Sequence, residues 1–443
     1  MTPLPAKLPT FNEALRVWAR IGCLSFGGPA AQIALMHREV VDERRWVGEA
    51  KFLQALNFCT LLPGPEAQQL ATYLGWLMHG VRGGIAGGVL FVLPGAAVML
   101  GLSILYVTLG QVPLVAALFF GLKAAVLVLV IEALLRVSRR ALKGAVAYAV
   151  AAAAFVALYV FAVPFPVVVL AAGLVGLAFP FAFTAGKHGS AKDSGPPAAL
   201  DAVIAADPDH VARLAPSARR AGLIAALLWL WPVALLQPYG GVFADVAMFF
   251  SKMAVVTFGG AYAVLAWVAQ DAVQDLGWLT AGQMLDGLGL AETTPGPLIL
   301  VLQFVGFLAG FSAHGIAGGT VAAALTTFVT FAPSFVWIFL LAPFVERLAA
   351  NPRLAGGLAA ITAAVVGVIL NLAVWFGLRV LFAQVGAVAF GPLRIDVPVL
   401  MSLDWRAALI ALLAGVALLR LKLGVARTLG GAALLGLVFS QLG

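Results

Sequence analysis

Charge is what this chain has least of. Only 10% of its 443 residues are Asp, Glu, Lys or Arg, against 63% that are hydrophobic. Soluble domains run nearer ~25% charged and ~45–50% apolar. A soluble protein of this composition would carry more apolar surface than one core can hide, so lipid must solvate much of it. Cysteine is almost missing: Cys23 and Cys59 sit in apolar context with no CxxC, which excludes a disulfide scaffold. The five histidines show no metal-ligand spacing, and HExxH, nucleophile-elbow and Walker patterns are absent. No metal, cofactor or catalytic residue is expected, and the chain reads as a non-enzyme. An intramembrane enzyme would need an acidic metal cluster or a nucleophile–base pair, and neither is present.

Long polar stretches are equally scarce. The single one, 185–220, holds Lys187, Lys192, Asp193, Asp201, Asp207, Asp209, Arg213, Arg219 and Arg220, and reads as a cytosolic linker. The net charge of +8 does not indicate nucleic acid, because the basic residues gather in short loops and form no stripe with exposed aromatics. Met1 to Thr10 carries no apolar run, so no cleavable signal is expected and the first membrane segments should direct insertion.

Apolar stretches, by contrast, come in a regular series. Spanning segments are expected at 84–107, 114–135, 144–161, 166–184, 221–238, 318–342, 358–378, 406–420 and 424–441. Two further apolar regions, 11–80 and 243–313, are interrupted by Gly-Gly and Pro-Gly-Pro, and the sequence leaves open whether they cross or re-enter.

The chain repeats itself. Phe26-Gly27-Gly28 returns as Phe258-Gly259-Gly260, Trp46 as Trp278, and Pro63-Gly64-Pro65 as Pro295-Gly296-Pro297, all at an offset of 232. Gly84-Ile85-Ala86-Gly87-Gly88 is matched with Gly315-Ile316-Ala317-Gly318-Gly319 at 231, and Pro94 with Pro333 at 239. Residues 1–51 carry seven Lys/Arg, whereas 243–283 carries only Lys252. The loop holding Arg136, Arg139, Arg140 and Lys143 likewise matches a less basic segment after Arg379. By the positive-inside rule the two halves are inverted, with a cytosolic N-terminus and an external C-terminus. The expected organisation is a first repeat over 1–184, a linker loop plus inverting helix over 185–242, and a second repeat over 243–443. The fold class is an all-α polytopic membrane protein with two inverted repeats and broken or re-entrant helices, a recurrent plan of secondary transporters.

The breaks are the candidate site. Two prolines around a glycine stop a helix, and the restarted helix presents free N–H groups and a positive dipole end, which suits an anion. Pro63, Gly64, Pro65, Pro295, Gly296 and Pro297 are therefore substrate-site candidates. So are the Phe-Gly-Gly residues Phe26, Gly27, Gly28, Gly259 and Gly260, whose glycines allow positive φ or close approach. Arg20 and Lys252, at equivalent positions before those breaks, are candidate counter-charges. Gln68 on the restarted helix is a candidate donor. Glu66 and Glu292, beside the two Pro-Gly-Pro motifs, are the candidate proton carriers. Glu132 is expected to pair with Arg136 one turn on. Lys123 lies in a span and matches Thr362, so any role it has is one-sided. The run from Glu39 to Arg45 reads as a solvated face, with Trp46 at headgroup level.

Phe26-Gly27-Gly28-Pro29, Trp46, Leu62-Pro63-Gly64-Pro65, Arg82-Gly83-Gly84 and Leu93-Pro94-Gly95, in that order, resemble the chromate ion transporter family. Phe258-Gly259-Gly260, Trp278 and Thr294-Pro295-Gly296-Pro297 resemble its second domain, as in the long, two-domain form. The resemblance implies efflux of chromate from the cytosol across a bacterial-type plasma membrane, driven by the proton motive force, and chromate resistance. Sulfate, alike in charge and shape, is the alternative substrate, and a channel or exchanger is the alternative mode. The implied partners are the oxyanion, protons and the bilayer, and a homodimer is left open. Where the family often has a His after Phe-Gly-Gly-Pro, this chain has Gln32.

Overall fold

The computed structural model describes residues 8–110, 112–183, 198–258, 261–345, 351–390 and 393–441. Gly259 and Gly260, Arg347 and the polar stretch from 184 to 197 lie outside the described residues.

Almost everything described is helix. The first helix, α1 (Phe11–Leu24), opens on a capping box in which Thr10 and Glu13 satisfy each other's backbone groups. It ends at Ser25, before Gly27 and Gly28 take φ of 86° and 79°. Then follow α2 (Gly28–His37), α3 (Glu49–Thr60), α4 (Glu66–Leu109), α5 (Pro113–Ala141), α6 (Ala145–Tyr159) and α7 (Phe165–Ala178). Two connecting helices, α8 (Ala199–Ala206) and α9 (His210–Leu236), lead to a second series. This comprises α10 (Val242–Val256), α11 (Ala261–Gln270), α12 (Ala281–Thr293), α13 (Val301–Leu341), α14 (Pro352–Leu381), α15 (Trp405–Gly415) and α16 (Val425–Ser440). Five helices, within Glu66–Leu109, Pro113–Ala141, His210–Tyr239, Leu298–Phe344 and Pro352–Leu381, are long and apolar enough to cross a membrane. Exposed Leu170, Leu174, Leu227 and Trp231 on the outer helices are what a lipid-facing surface requires. The protein is an all-α polytopic membrane protein.

The two longest helices are each a pair. In α4 the helix breaks at His79 (φ −136°, ψ 23°) and Gly80 (φ 61°, ψ −153°); in α13 it breaks at His314 (φ −140°, ψ 20°) and Gly315 (φ 65°, ψ −159°). The chain doubles back at both. A Cβ on Gly75 would lie 2.3 Å from the Gly83 carbonyl, and one on Gly87 would lie 2.5 Å from the Ala71 carbonyl. Gly310 and Gly318 repeat the contact at 2.4 Å. Small residues on both arms are what let the backbones pack this closely.

At 1.5 Å per residue, the arm 66–78 spans only about 20 Å, short of the ~30 Å hydrocarbon core. The arms α3 and 66–78 return side by side across Pro63-Gly64-Pro65, with the Phe58 and Tyr73 rings 5.2 Å apart. The interrupted region therefore holds hairpins whose tips lie inside the protein.

This geometry corrects the repeat register. His79-Gly80 corresponds to His314-Gly315 at an offset of 235, so Gly83-Gly84, not Gly87-Gly88, matches Gly318-Gly319. Three of the extra residues form the 3-10 turn Leu298–Leu300 ahead of α13, and four more precede Pro333.

The last two helices of each series pack on the other series. A Cβ on Gly176 in α7 would meet the Gly356 carbonyl of α14 at 2.3 Å, and one on Gly436 in α16 would meet the Ala117 carbonyl of α5 at 2.3 Å. One feature is one-sided: a hairpin of β1 (Val385–Phe390) and β2 (Leu393–Pro398) follows α14, pinned by Arg379 to Asp396 at 2.8 Å.

The Glu39–Arg45 run is not a wholly solvated face. Glu39 is buried, with Arg20 at 3.4 Å on one oxygen and Arg44 on the other. The two guanidiniums offset the cost of burying this side chain. Trp46 is also buried, because α8 docks beside it: the Leu200 amide donates to the Trp46 carbonyl and Asp201 accepts from the Gly48 amide.

Candidate functional site

The two Pro-Gly-Pro tips meet in the middle of the molecule, and each is held by the other series. The Gly64 amide donates to the Thr257 carbonyl at 2.8 Å; the Gly296 amide donates to the Ser25 carbonyl at 2.7 Å. Ser25 and Thr257 are themselves equivalent, and each hydroxyl donates to the carbonyl four residues back, at 2.6 Å. Gly64 and Gly296 have φ of 120° and 91°, accessible to glycine at little cost. A second reciprocal contact seals the junction. A Cβ on Gly95 would lie 2.2 Å from the Pro295 carbonyl, and the corresponding Ser334 lies beside Gly64.

Between the tips is a cavity of about 20 Å³, lined by Gln32, Gly64, Glu66, Ala67, Pro297 and Leu298 among others. Two helix starts border it. The arm beginning at Glu66 and the turn beginning at Leu298 each leave first-turn N–H groups without an intrahelical acceptor. Each such end carries roughly half a positive charge.

Glutamines supply the rest. Gln32 Nε2 donates to the Gly296 carbonyl and Gln69 Nε2 to the Pro63 carbonyl, both at 2.7 Å. The Oε1 atoms of Gln32, Gln68 and Gln69 and the Ser334 hydroxyl are buried without a protein partner. A buried orphan costs about 1–3 kcal/mol; Gln32 lines the cavity, Gln69 and Ser334 lie beside Gly64, and Gln68 lines a separate apolar pocket.

The expected site residues divide into two groups. Pro63, Gly64, Pro65, Glu66, Pro295, Gly296 and Pro297 lie at the junction, and Gln68 is buried just behind it, 3.4 Å from the Phe331 carbonyl. Glu66 has no ion pair or hydrogen bond among the described residues. Glu292 is buried behind the second tip, accepting a short hydrogen bond from the Tyr262 hydroxyl. Arg20 and Lys252 are not at the cavity wall. Arg20 is 56% exposed and pairs with Glu39, and Lys252 is exposed on α10. Both stand on the open faces of the helices that end at Ser25 and Thr257. Phe26 is exposed, and Gly27 and Gly28 turn the chain between α1 and α2. Glu132 pairs with Arg136 as expected.

Sequence reasoning missed three features. Gln32 entered only as a departure from a family His, yet among the described residues it is the one side chain bonded across to the opposite tip. The His-Gly dipeptide at both turns was visible as a repeat. Asp286 went unnoticed: it is buried, 3.2 Å from Lys123, and accepts from Tyr106 at 2.8 Å.

Paired chain breaks meeting inside a bundle of apolar helices define a polytopic membrane transport protein. The profile described as chromate transporter matches residues 13–177 and again 244–437, and the chain belongs to that family. A chromate transport protein of Pseudomonas aeruginosa is 33% identical over 365 residues, 81% of this chain and 79% of that protein. One from Cupriavidus metallidurans is 27% identical over 430 residues, 97% of this chain and 93% of its own length. An uncharacterized transporter of Bacillus subtilis is 28% identical over 134 residues, 30% of this chain and 68% of that protein. No solved structure matches the chain.

Proposed function

We propose that this chain exports chromate from the cytosol across a bacterial plasma membrane by alternating access, driven by the proton motive force, and so confers chromate resistance. The observation that carries the reading is the pair of helix starts facing one small cavity between the tips, with Gln32 in its wall. First-turn N–H groups after Pro65 and Pro297 hold the oxyanion, and Gln32 and Gln68 complete the site. The names and similarity of the chromate transport proteins above favour chromate; sulfate, with the same shape and charge, is the competing substrate.

A space of about 20 Å³ holds roughly one water, not a tetrahedral oxyanion. On this reading transport requires the tips to part. Reciprocal contacts between equivalent residues support two repeats of opposite orientation, 1–184 and 243–443, with α9 inverting the second. Arg136, Arg139, Arg140 and Lys143 then mark the cytosolic side, with the N-terminus there and the C-terminus outside.

Arg20 and Lys252, exposed on the helices leading to each tip, attract the dianion toward the junction from opposite sides. Glu66 and Glu292 carry protons. Membrane potential adds its own drive: expelling a dianion from a negative interior is favoured by about 4.6 kcal/mol per 100 mV.

Everted membrane vesicles test this. Radiolabelled chromate should accumulate inside them on energisation, collapse with a protonophore and compete with sulfate. Accumulation indifferent to the protonophore rejects proton-motive coupling.

A further inference from the structure

We propose that Asp286 and Lys123 form a proton-operated latch that holds the second re-entrant helix against α5 and couples its release to proton uptake. This rests on the proton-coupled reading above and deepens it. The latch is distinct from the central cavity and from Glu66 and Glu292.

Asp286 sits mid-way along α12, seven residues before the Thr293–Thr294 end that leads into Pro295-Gly296-Pro297. Its side chain is 5% exposed. Oδ2 receives both donors, the Lys123 ammonium at 3.2 Å from α5 and the Tyr106 hydroxyl at 2.8 Å from the end of α4. Oδ1 is buried and has no partner. Lys123 and Tyr106 are the charged and titratable groups that face Asp286 from α5 and α4. Among the described residues, α13, α14 and α16, which also pack on α12, present none to it. A carboxylate with two donors on one oxygen and none on the other keeps a vacant basic position inside the protein.

Gly282 and Gly289, on the same face of α12 as Asp286, lie against Lys123 and against Leu122 and Val126. The glycines leave room for these α5 side chains to seat against α12, and the ion pair is the charged contact that ties the two helices at this level. Removing the charge of one partner unmakes it, because a neutral acid no longer compensates the half-buried Lys123 ammonium. When Oδ1 accepts a proton, Asp286 becomes a neutral acid, Lys123 keeps its ammonium charge and the attraction fails. The helix that carries the second tip is then free to withdraw from α5. Loss of the proton restores the pair and the closed junction.

The first series has no such device: Gln54 stands where Asp286 does, and Thr362 where Lys123 does. Protonation would therefore release one tip and not the other, which is the asymmetry a directional cycle requires.

The test separates exchange from coupling in one preparation. Wild type, Asp286→Asn and the double variant Lys123→Gln/Asp286→Asn are compared for protonophore-sensitive chromate accumulation in everted vesicles. The same proteins are compared for labelled-for-unlabelled chromate exchange without a gradient, at matched membrane levels. The double variant leaves no ammonium without its counter-charge, so it remains informative if the single one folds poorly. In both variants the latch predicts accumulation reduced at least tenfold, with exchange continuing and no longer changing with pH. Proton-driven accumulation restored in the double variant would show a merely structural pair and overturn the inference. So would loss of exchange and accumulation in equal measure. A wild type indifferent to the protonophore removes the proton-coupled reading itself, and the latch with it.

Discussion

The amide of Gly64 donates its hydrogen bond to the carbonyl of Thr257, 2.8 Å away in the other half of the chain. Its counterpart, Gly296, does the same to Ser25. Neither tip's glycine amide is bonded within its own half. Each closes on the residue just before the opposite Phe-Gly-Gly break, so an opening of one break is felt by the tip across from it.

Gly64→Ala and Gly296→Ala should therefore lose transport and stability together. Both positions have positive φ, where an L side chain costs about 1–2 kcal/mol. Thermal unfolding in detergent should fall by several degrees for each, and vesicle uptake should fall at least tenfold. Gly28→Ala, with positive φ but open space around it, should show the stability loss with the smaller transport defect.

Gly95 and Ser334 are equivalent in the fold and should differ on substitution. A methyl group on Gly95 would lie 2.2 Å from the Pro295 carbonyl, a backbone atom that cannot step aside. Gly95→Ala should keep the junction from closing and abolish transport. Ser334→Ala removes a buried hydroxyl that has no partner, so stability should change by less than about 1 kcal/mol. Uptake assays and unfolding curves on the two variants check the contrast.

Arg20 and Lys252 stand on exposed faces and not at the cavity wall, so their loss should act on capture more than on turnover. Arg20→Gln and Lys252→Gln should raise KM several-fold with Vmax largely kept, and the difference from wild type should shrink as salt screens the charges. Arg20→Lys should retain most of the wild-type KM. Initial rates across chromate and salt concentrations measure this.

The exchanged outer helices give a stability prediction independent of transport. A Cβ on Gly176 meets the Gly356 carbonyl at 2.3 Å, so Gly176→Val should force α7 off α14. Overpacking of this kind costs about 1–3 kcal/mol, read as a lower unfolding temperature in detergent.

Much of this was legible beforehand. The apolar runs placed α6 and α16 to within about two residues and α5, α7 and α14 to within about six, because lipid-exposed helices write their length into composition, whereas α9 begins at His210, well before the run expected at 221–238. Pro-Gly-Pro and Phe-Gly-Gly announced the breaks, since proline and glycine have strong local conformational rules. What escaped was long-range. No local pattern tells that Gly64 bonds to Thr257, that α7 packs on α14, or that Lys123 meets Asp286 across the fold. Arg20 was drawn toward the centre by its position along α1, and only packing against Glu39 reveals which way it faces. The 3-10 turn at Leu298–Leu300 displaced the repeat register because matching Gly-Gly pairs looked better than the true His-Gly match.

In the proposed mechanism the oxyanion binds where the two tips meet, and Gln32 is the side chain that reaches from the first series to the second tip. Equilibrium binding of radiolabelled chromate to purified protein, wild type against Gln32→Leu, measures it directly. Chromate affinity at least tenfold weaker in Gln32→Leu, with the protein folded and monodisperse, is the predicted result. Equal affinity in the two proteins would place the site elsewhere and contradict the account.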